Sequence, residues 1–412
     1  MKRLLTILLL AAGLTALSLQ AQTLYVCRGA DVETVSAVDF GQNGAVLNGT
    51  IDTSGIDSIT TNVPRLRFVG GDISMLAKYE AQHAAYKTKD GQGIADLIAF
   101  LRQQGWNTLR VRLFVDPTQS SDQKQVVQDL DYVTALGRRI KQAGMLFMLD
   151  FHYSDTWADP ANQWTPAAWA ALTGDELATK VYEYTRHCLD HLAKAGAAPD
   201  FIQTGNEISY GMLWGPTGTS TYICTPDADE ATWNRLTTLL HQAGRACREV
   251  VPRAQIVIHT ERASDPATLT AFYDRMKAAA VDYDVIGLSY YSYYHGSLTT
   301  LDEALNAIEA RAYGKPIQIV ETGYPANWGA PGTTFDYSDT YPYTEAGQQL
   351  YVADLISLLK HHKTVSGLLW WYPEANACGA TGDLKSGWYN VGLFNNSNGR
   401  ALPALYDLGS FK

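Results

Sequence analysis

Two glutamates stand where short apolar runs stop. Glu207 closes "DFIQTGNEI", directly after Asn206, and Glu321 closes "PIQIVETGY". Runs of this length, rich in Ile, Val and Phe, read as buried strands. A carboxylate at the end of such a strand is costly to desolvate unless it has a partner or a chemical role. Two carboxylates facing across a cleft have such a role in glycosidic bond cleavage, where one protonates a leaving oxygen while the other attacks or activates water. A separation of about 5 Å would mean retention of configuration and one well above 6 Å inversion, a distance that sequence spacing does not measure. In the plain alternative each glutamate pairs with an arginine inside the fold. Arg110 and Arg112, two apart and hence on one strand face, are the partners that alternative would use.

The elements that must position these groups recur along the chain. After Arg65 the apolar runs are "RLRFVGGDIS", "TLRVRLFVD", "MLFMLDFHY", "DFIQTGNEI", "QIVIHTE", "VIGLSYYSY", "PIQIVETGY" and "GLLWWYPE", eight in all. Amphipathic stretches such as "DGQGIADLIAFLRQQG" and "DLDYVTALGRRIKQAG" separate them, the second ending on a Gly suited to a helix C-terminus. Eight strand–helix alternations predict an α/β fold, a (β/α)8 TIM barrel, whose active-site face is formed by the C-terminal ends of the strands. Those ends are polar here: Asp72, Arg110, Arg112, Asp150, His152, Asn206, Glu207, His259, Tyr290 and Glu321, with Trp371 on the last. A core would not select them, so they point to a site.

Before the barrel, short β-prone pieces such as "TLYVC" and "AVLNGTIDT" alternate with turn residues. The predicted organisation is a signal peptide over 1–21, a small strand-rich segment over 22–65 and a catalytic barrel over 66–412. The leader "MKRLLTILLLAAGLTALSLQAQ" has two basic residues and an apolar stretch too short to span a bilayer, which predicts export. Tyr25 and Val26 are bulky where a lipobox before Cys27 would have small residues, so a lipid anchor is not the expectation. A formal net charge of −10, spread without an acidic tail, disfavours nucleic acid as a partner. The five cysteines form no CxxC pair, which argues against a zinc site, and allow at most two disulfides.

With these residues in hand, the chain resembles a known family. The segments "GGDISML", "NTLRVRLFVDP", "MLDFHYSDTWADP", "QTGNEI" and "ETGYP" are similar to those of the arabinogalactan endo-β-1,4-galactanases, glycoside hydrolase family 53, in the clan of retaining (β/α)8 glycosidases. "DFHYSDTWADP", Asp150 to Pro160, discriminates most. The resemblance implies that Glu207 is the general acid/base, that Glu321 is the nucleophile and that Asn206 bonds the substrate 2-hydroxyl. It implies donors to the nucleophile from an Arg of strand two and a Tyr after strand six, for which Arg112 and Tyr290 are the candidates, with Arg110 and Tyr291 as alternates. Asp150, His152 and Asp155 would bind sugar hydroxyls or orient the pair. Trp157, Trp214, Trp328 and Trp371 are candidates for stacking on sugar rings. His259 reads equally as a core histidine, and "IHTERAS" lacks the aspartate the family suggests shortly after it.

No cofactor is implied. Asp336, Asp339 and Asp383 supply oxygen ligands without a regular calcium-loop spacing, so structural calcium is not indicated. The expected partner is a polysaccharide, β-1,4-galactan, acted on by a monomer. The competing readings are a mannanase or cellulase of the same clan, a sugar-binding protein on an inactivated barrel, and a metal-dependent hydrolase. The last is disfavoured because Asp150 and His152 offer only one His ligand.

Overall fold

The computed structural model describes residues 24–28, 31–35, 38–41, 44–47, 50–51, 58–60, 66–219, 221–381 and 387–412. The leader 1–21, the side chain of Cys27 and Asp383 lie outside the described residues. The chain divides into two units, Met1–Pro64 and Arg65–Lys412. The first contains two three-stranded antiparallel sheets, one of Leu24–Arg28, Asp31–Val35 and Ser58–Thr60, the other of Val38–Gly41, Gly44–Leu47 and Thr50–Ile51.

The second unit is a closed parallel barrel of eight strands in sequence order. They are β1 (Phe68–Asp72), β2 (Thr108–Leu113), β3 (Leu146–Phe151), β4 (Phe201–Thr204), β5 (Gln255–Thr260), β6 (Val285–Tyr290), β7 (Ile317–Thr322) and β8 (Val365–Trp371). Every one of the eight apolar runs became a strand. β4 pairs with β3 and β5, and β8 returns to β1, which leaves no edge unpaired. Both faces of each strand are buried, as a helix-covered parallel sheet requires. On β2, Leu109, Val111 and Leu113 join the outer core under the helices, whereas Arg110 and Arg112 turn into the barrel. Phe68 and Phe201, from the non-adjacent strands β1 and β4, meet edge to face at 4.9 Å and fill the interior.

The helices show why their sequences start and stop where they do. In α-helix Leu130–Gln142, the Asp129 carboxylate accepts from the Tyr132 amide, and Val133, Leu136, Gly137 and Ile140 are buried at helical spacing. Gly137 is needed for packing, since a Cβ there would lie 2.8 Å from the Phe147 ring of β3. Gly144, at φ 69°, ends the turn as the sequence suggested. The helix expected from "DGQGIADLIAFLRQQG" is shorter, Leu97–Gln103. Asp96 caps it, and the glycines before it sit in a turn, with Gly91 at φ 86° and Gly93 bridging to Lys87. Cys188, Cys224, Cys247 and Cys378 are free thiols.

Candidate active site

At the C-terminal mouth of the barrel lies a cleft of about 520 Å³. Strand ends build it. Arg110 of β2 is the hub beneath: its guanidinium reaches Asp72 and Asp150 at 2.8 Å each, Gln203 at 2.7 Å, Asn206 at 2.9 Å and Glu321 at 2.8 Å. A planar fork of five N–H donors suits such divergent acceptors, which a lysine would not span. Burial works against the cation, but the carboxylates around it more than restore it, and Arg110 stays charged.

Glu321 and Glu207 receive opposite treatment. Glu321 Oε1 takes the Arg110 ion pair, and Oε2 accepts from the Tyr291 hydroxyl at 2.9 Å. Burial pushes its pKa above the ordinary carboxylate value, and Arg110 and the Tyr291 bond oppose that push. Glu207 has no cation at hand. Burial raises its pKa well above the usual value, the charges of Glu321 and Glu261 raise it further, and a bond from Ser289 only partly offsets them. Of the pair, Glu321 therefore ionises first and Glu207 keeps its proton. That is the split between a nucleophile and a general acid. Glu207 also sits at φ 50°, ψ 51°, a left-handed conformation that costs a side-chain-bearing residue about 1 kcal/mol and marks a functional constraint.

The surrounding polar groups form one network. Asn206 Oδ1 accepts from Arg110, and Nδ2 donates to Ala158 O at 2.7 Å, leaving one N–H of the amide. Asp150 is fully buried below the cleft. Burial would raise its pKa, but Arg110 and His152 outweigh that and hold it at about 2. His152 Nε2 lies 3.1 Å from Asp150, and its Nδ1 accepts the Ala158 amide at 3.0 Å, so the ring faces the cleft in a fixed orientation. His259 is internal: Nδ1 lies 3.0 Å from Gln203 and 3.1 Å from Asn206, and Nε2 lies 2.9 Å from Ser289. Burial and Arg110 lower its pKa, so it stays neutral and links the Asn206 side to the Ser289 side.

Glu207, Glu321, Asn206, Arg110, Arg112, His152, Trp157 and Trp371 all line the cleft. Arg112 and Tyr290, the first candidates for the nucleophile's donors, are not those donors. Arg112 is one pleat higher than Arg110; it meets Asp72 at 3.2 Å and covers the Trp157 ring at 4.5 Å. Tyr290 alternates away from Ser289 and Tyr291 to the outer face of β6, where its hydroxyl donates to Gly296 O at 2.8 Å. Asp155 is outside the cleft lining, a loop fastener whose oxygens accept the Asp116 and Ala167 amides at 3.1 and 2.8 Å. Trp214 is buried against Trp164. Trp328, 46% exposed, is also outside the cleft lining, its indole N–H directed to Gly387 O.

Several lining residues were not read from the sequence: Asp159, Glu261, Tyr294, His295 and Trp388. Glu261 carried a signal, standing two residues beyond His259 and hence on the same strand face. Trp388 carried none; it enters from the 3-10 turn Gly387–Val391 and meets Trp371 edge to face at 5.2 Å. Among the described residues, no cluster of three or more His, Cys, Asp or Glu could hold a metal. Asp336 is occupied by the Ser338 amide and the Tyr343 hydroxyl.

Comparison with known proteins bears on the same region. A family model described as glycosyl hydrolase family 53 matches residues 68–408. A protein of Niallia circulans, described only as lying in the bgaB 5' region, is 37% identical over 314 residues, covering 74% of this chain and 83% of that one. The arabinogalactan endo-beta-1,4-galactanase of Thermothelomyces thermophilus is 31% identical over 350 residues, 82% of this chain and 98% of its own. The solved catalytic domain of an Ignisphaera aggregans protein of the same family superposes with a TM-score of 0.73 at 31% identity, covering 84% of this chain and 96% of that one.

Proposed function

We propose, because the chain belongs to glycosyl hydrolase family 53, that it is an endo-acting β-1,4-galactanase working with retention of configuration. The observation that carries the mechanism is the electrostatic split between Glu321, beside Arg110 and Tyr291, and Glu207, beside other carboxylates. The substrate reading rests on the galactanases among its relatives.

In the first step the Glu321 carboxylate attacks the anomeric carbon while Glu207 gives its proton to the departing glycosidic oxygen. The galactosyl unit is left as an ester on Glu321. In the second step Glu207, now ionised, takes a proton from water. That water attacks the same carbon and frees Glu321. The remaining Asn206 N–H is available to the 2-hydroxyl oxygen, a contact expected to strengthen in the transition state. Trp371 and Trp157 offer flat apolar faces to sugar rings. The leader sequence supports export, with the enzyme acting outside the cytoplasm on the galactan side chains of pectin. No helix among the described residues is long and apolar enough to cross a membrane.

Reducing-end release and product profiling on β-1,4-galactan, β-mannan and β-glucan test this reading. Short oligosaccharides from galactan alone are expected. Release from mannan or glucan would keep the chemistry and overturn the substrate; binding without release would favour a sugar-binding barrel.

A further inference from the structure

His295 plays no part in the two steps above, yet it lines the cleft from the short helix Ser292–His295 that follows β6. It is fastened twice to the start of its own turn. The His295 backbone N–H donates to Tyr291 O at 2.8 Å, and the ring Nδ1 accepts the Tyr291 amide N–H at 3.0 Å. A backbone amide can only donate, so Nδ1 is the bare nitrogen and the proton of the neutral ring sits on Nε2. Burial and the charge of Arg262 push the His295 pKa down to about 4, which keeps the ring in this neutral form near pH 7.

Distances place the ring. Tyr291, to which it is fastened, donates its hydroxyl to Glu321 Oε2 at 2.9 Å, and the His295 and Tyr291 ring centroids are 6.2 Å apart. On the aromatic side, the Tyr294 ring is 6.4 Å from His295 and 6.3 Å from Trp388. Nε2 bonds to none of the described residues, and it is not a sealed orphan of the kind that Arg112 Nε is. Its N–H is open to the cleft that the residue lines. A sugar hydroxyl both gives and takes a hydrogen bond, and Glu207, Glu321 and Asp159 are there to take. Donors are scarcer, because the Trp157 indole N–H is spent on Asp122, the Tyr294 hydroxyl on Pro331 O and the Arg110 guanidinium on the network beneath. A neutral N–H held in one direction supplies that need without the cost of desolvating a further cation.

We propose that His295 is a substrate-binding residue, its Nε2–H donating a hydrogen bond to a hydroxyl oxygen of a galactosyl unit in the cleft. This rests on the galactanase reading. Two replacements separate that role from the fastening of Tyr291. In His295→Asn the side-chain oxygen can take the place of Nδ1 and accept the Tyr291 amide, but no donor reaches the Nε2 position. In His295→Gln an amide N–H reaches that position, while the Tyr291 amide loses its acceptor. On a β-1,4-galactan oligosaccharide the expected kcat/KM falls about twentyfold for Asn and about threefold for Gln. Thermal scans should rank the two the other way, with Gln the less stable. Oligosaccharides that each lack one ring hydroxyl identify the contact: one of them is already poor with the parent, and on that one Asn costs less than about threefold more. Activity lost with Gln and kept with Asn would make His295 a fastener of Tyr291 and overturn the proposal, as would an equal Asn loss on every deoxy substrate. A parent active on galactan and indifferent to both substitutions overturns it alone, whereas a parent inert to galactan overturns the substrate reading beneath it.

Discussion

Each glutamate of the central pair is defined by what stands next to it. Replacing Glu321 with Ala removes the proposed nucleophile, and an activity loss of at least about a thousandfold on galactan is expected, measured by reducing-end release. Replacing Glu207 with Ala should cost as much on galactan but far less in the first step of an aryl galactoside with a good leaving group, since that departure needs no proton. Tyr291→Phe removes a bond that favours ionised Glu321. The folded-state pKa of Glu321 then rises, so the acid limb of kcat/KM should move to higher pH and the value at the optimum should fall about tenfold. Among single residues the sequence was informative about type and weak about partnership. Strand ends rich in Asp, Glu, Arg and His pointed to the cleft they line, and "NE" with a second strand-end Glu is the basis of the chemistry proposed for it. Which Arg and which Tyr touch Glu321 depended on the depth of Arg110 below Arg112 and on the side from which Tyr291 enters.

The strand is the element that decides those partnerships. Tyr290 and Tyr291 differ only by one step of the pleat, yet one lies among helices and the other in the cleft. Tyr290→Phe should therefore leave kcat within about twofold while lowering stability by about 1 kcal/mol for the lost bond to Gly296 O, as urea denaturation would register. All eight strands were legible because each is a compact apolar run bounded by turn or helix signals. Irregularities were not. The register of β7 against β8 shifts between Ile319 and Thr322, and that of β6 against β7 shifts at Leu288 and Ser289. A simple two-residue alternation therefore does not fix the direction of Glu321. Short helical turns hid more still, since Tyr294 of Ser292–His295 and Trp388 of Gly387–Val391 reach the cleft from segments too short to show a period.

Across the whole molecule, the barrel buries a titratable group that the proposed chemistry does not use. Glu374, fully buried after β8, accepts the Met75 amide at 2.9 Å, while burial and the charge of Asp72 push its pKa up to about 8. A folded pKa above the unfolded value near 4.3 gives stability that is complete below pH 4 and is lost as pH rises toward 8. Glu374→Gln needs no such proton, so the variant's Tm should gain on the parent's by a few degrees between pH 5 and pH 8.5 in thermal scans. The division at Pro64 and Arg65 makes a second expectation, that Arg65–Lys412 alone keeps kcat/KM within about threefold. Everything proposed for the cleft turns on a covalent galactosyl ester at Glu321, and proton NMR of the anomer first released from β-1,4-galactan decides whether it forms. The β-anomer, later equilibrating with the α-form, is the expected first product. An α-anomer at the earliest times would mean that water attacks the sugar directly and that no such ester exists.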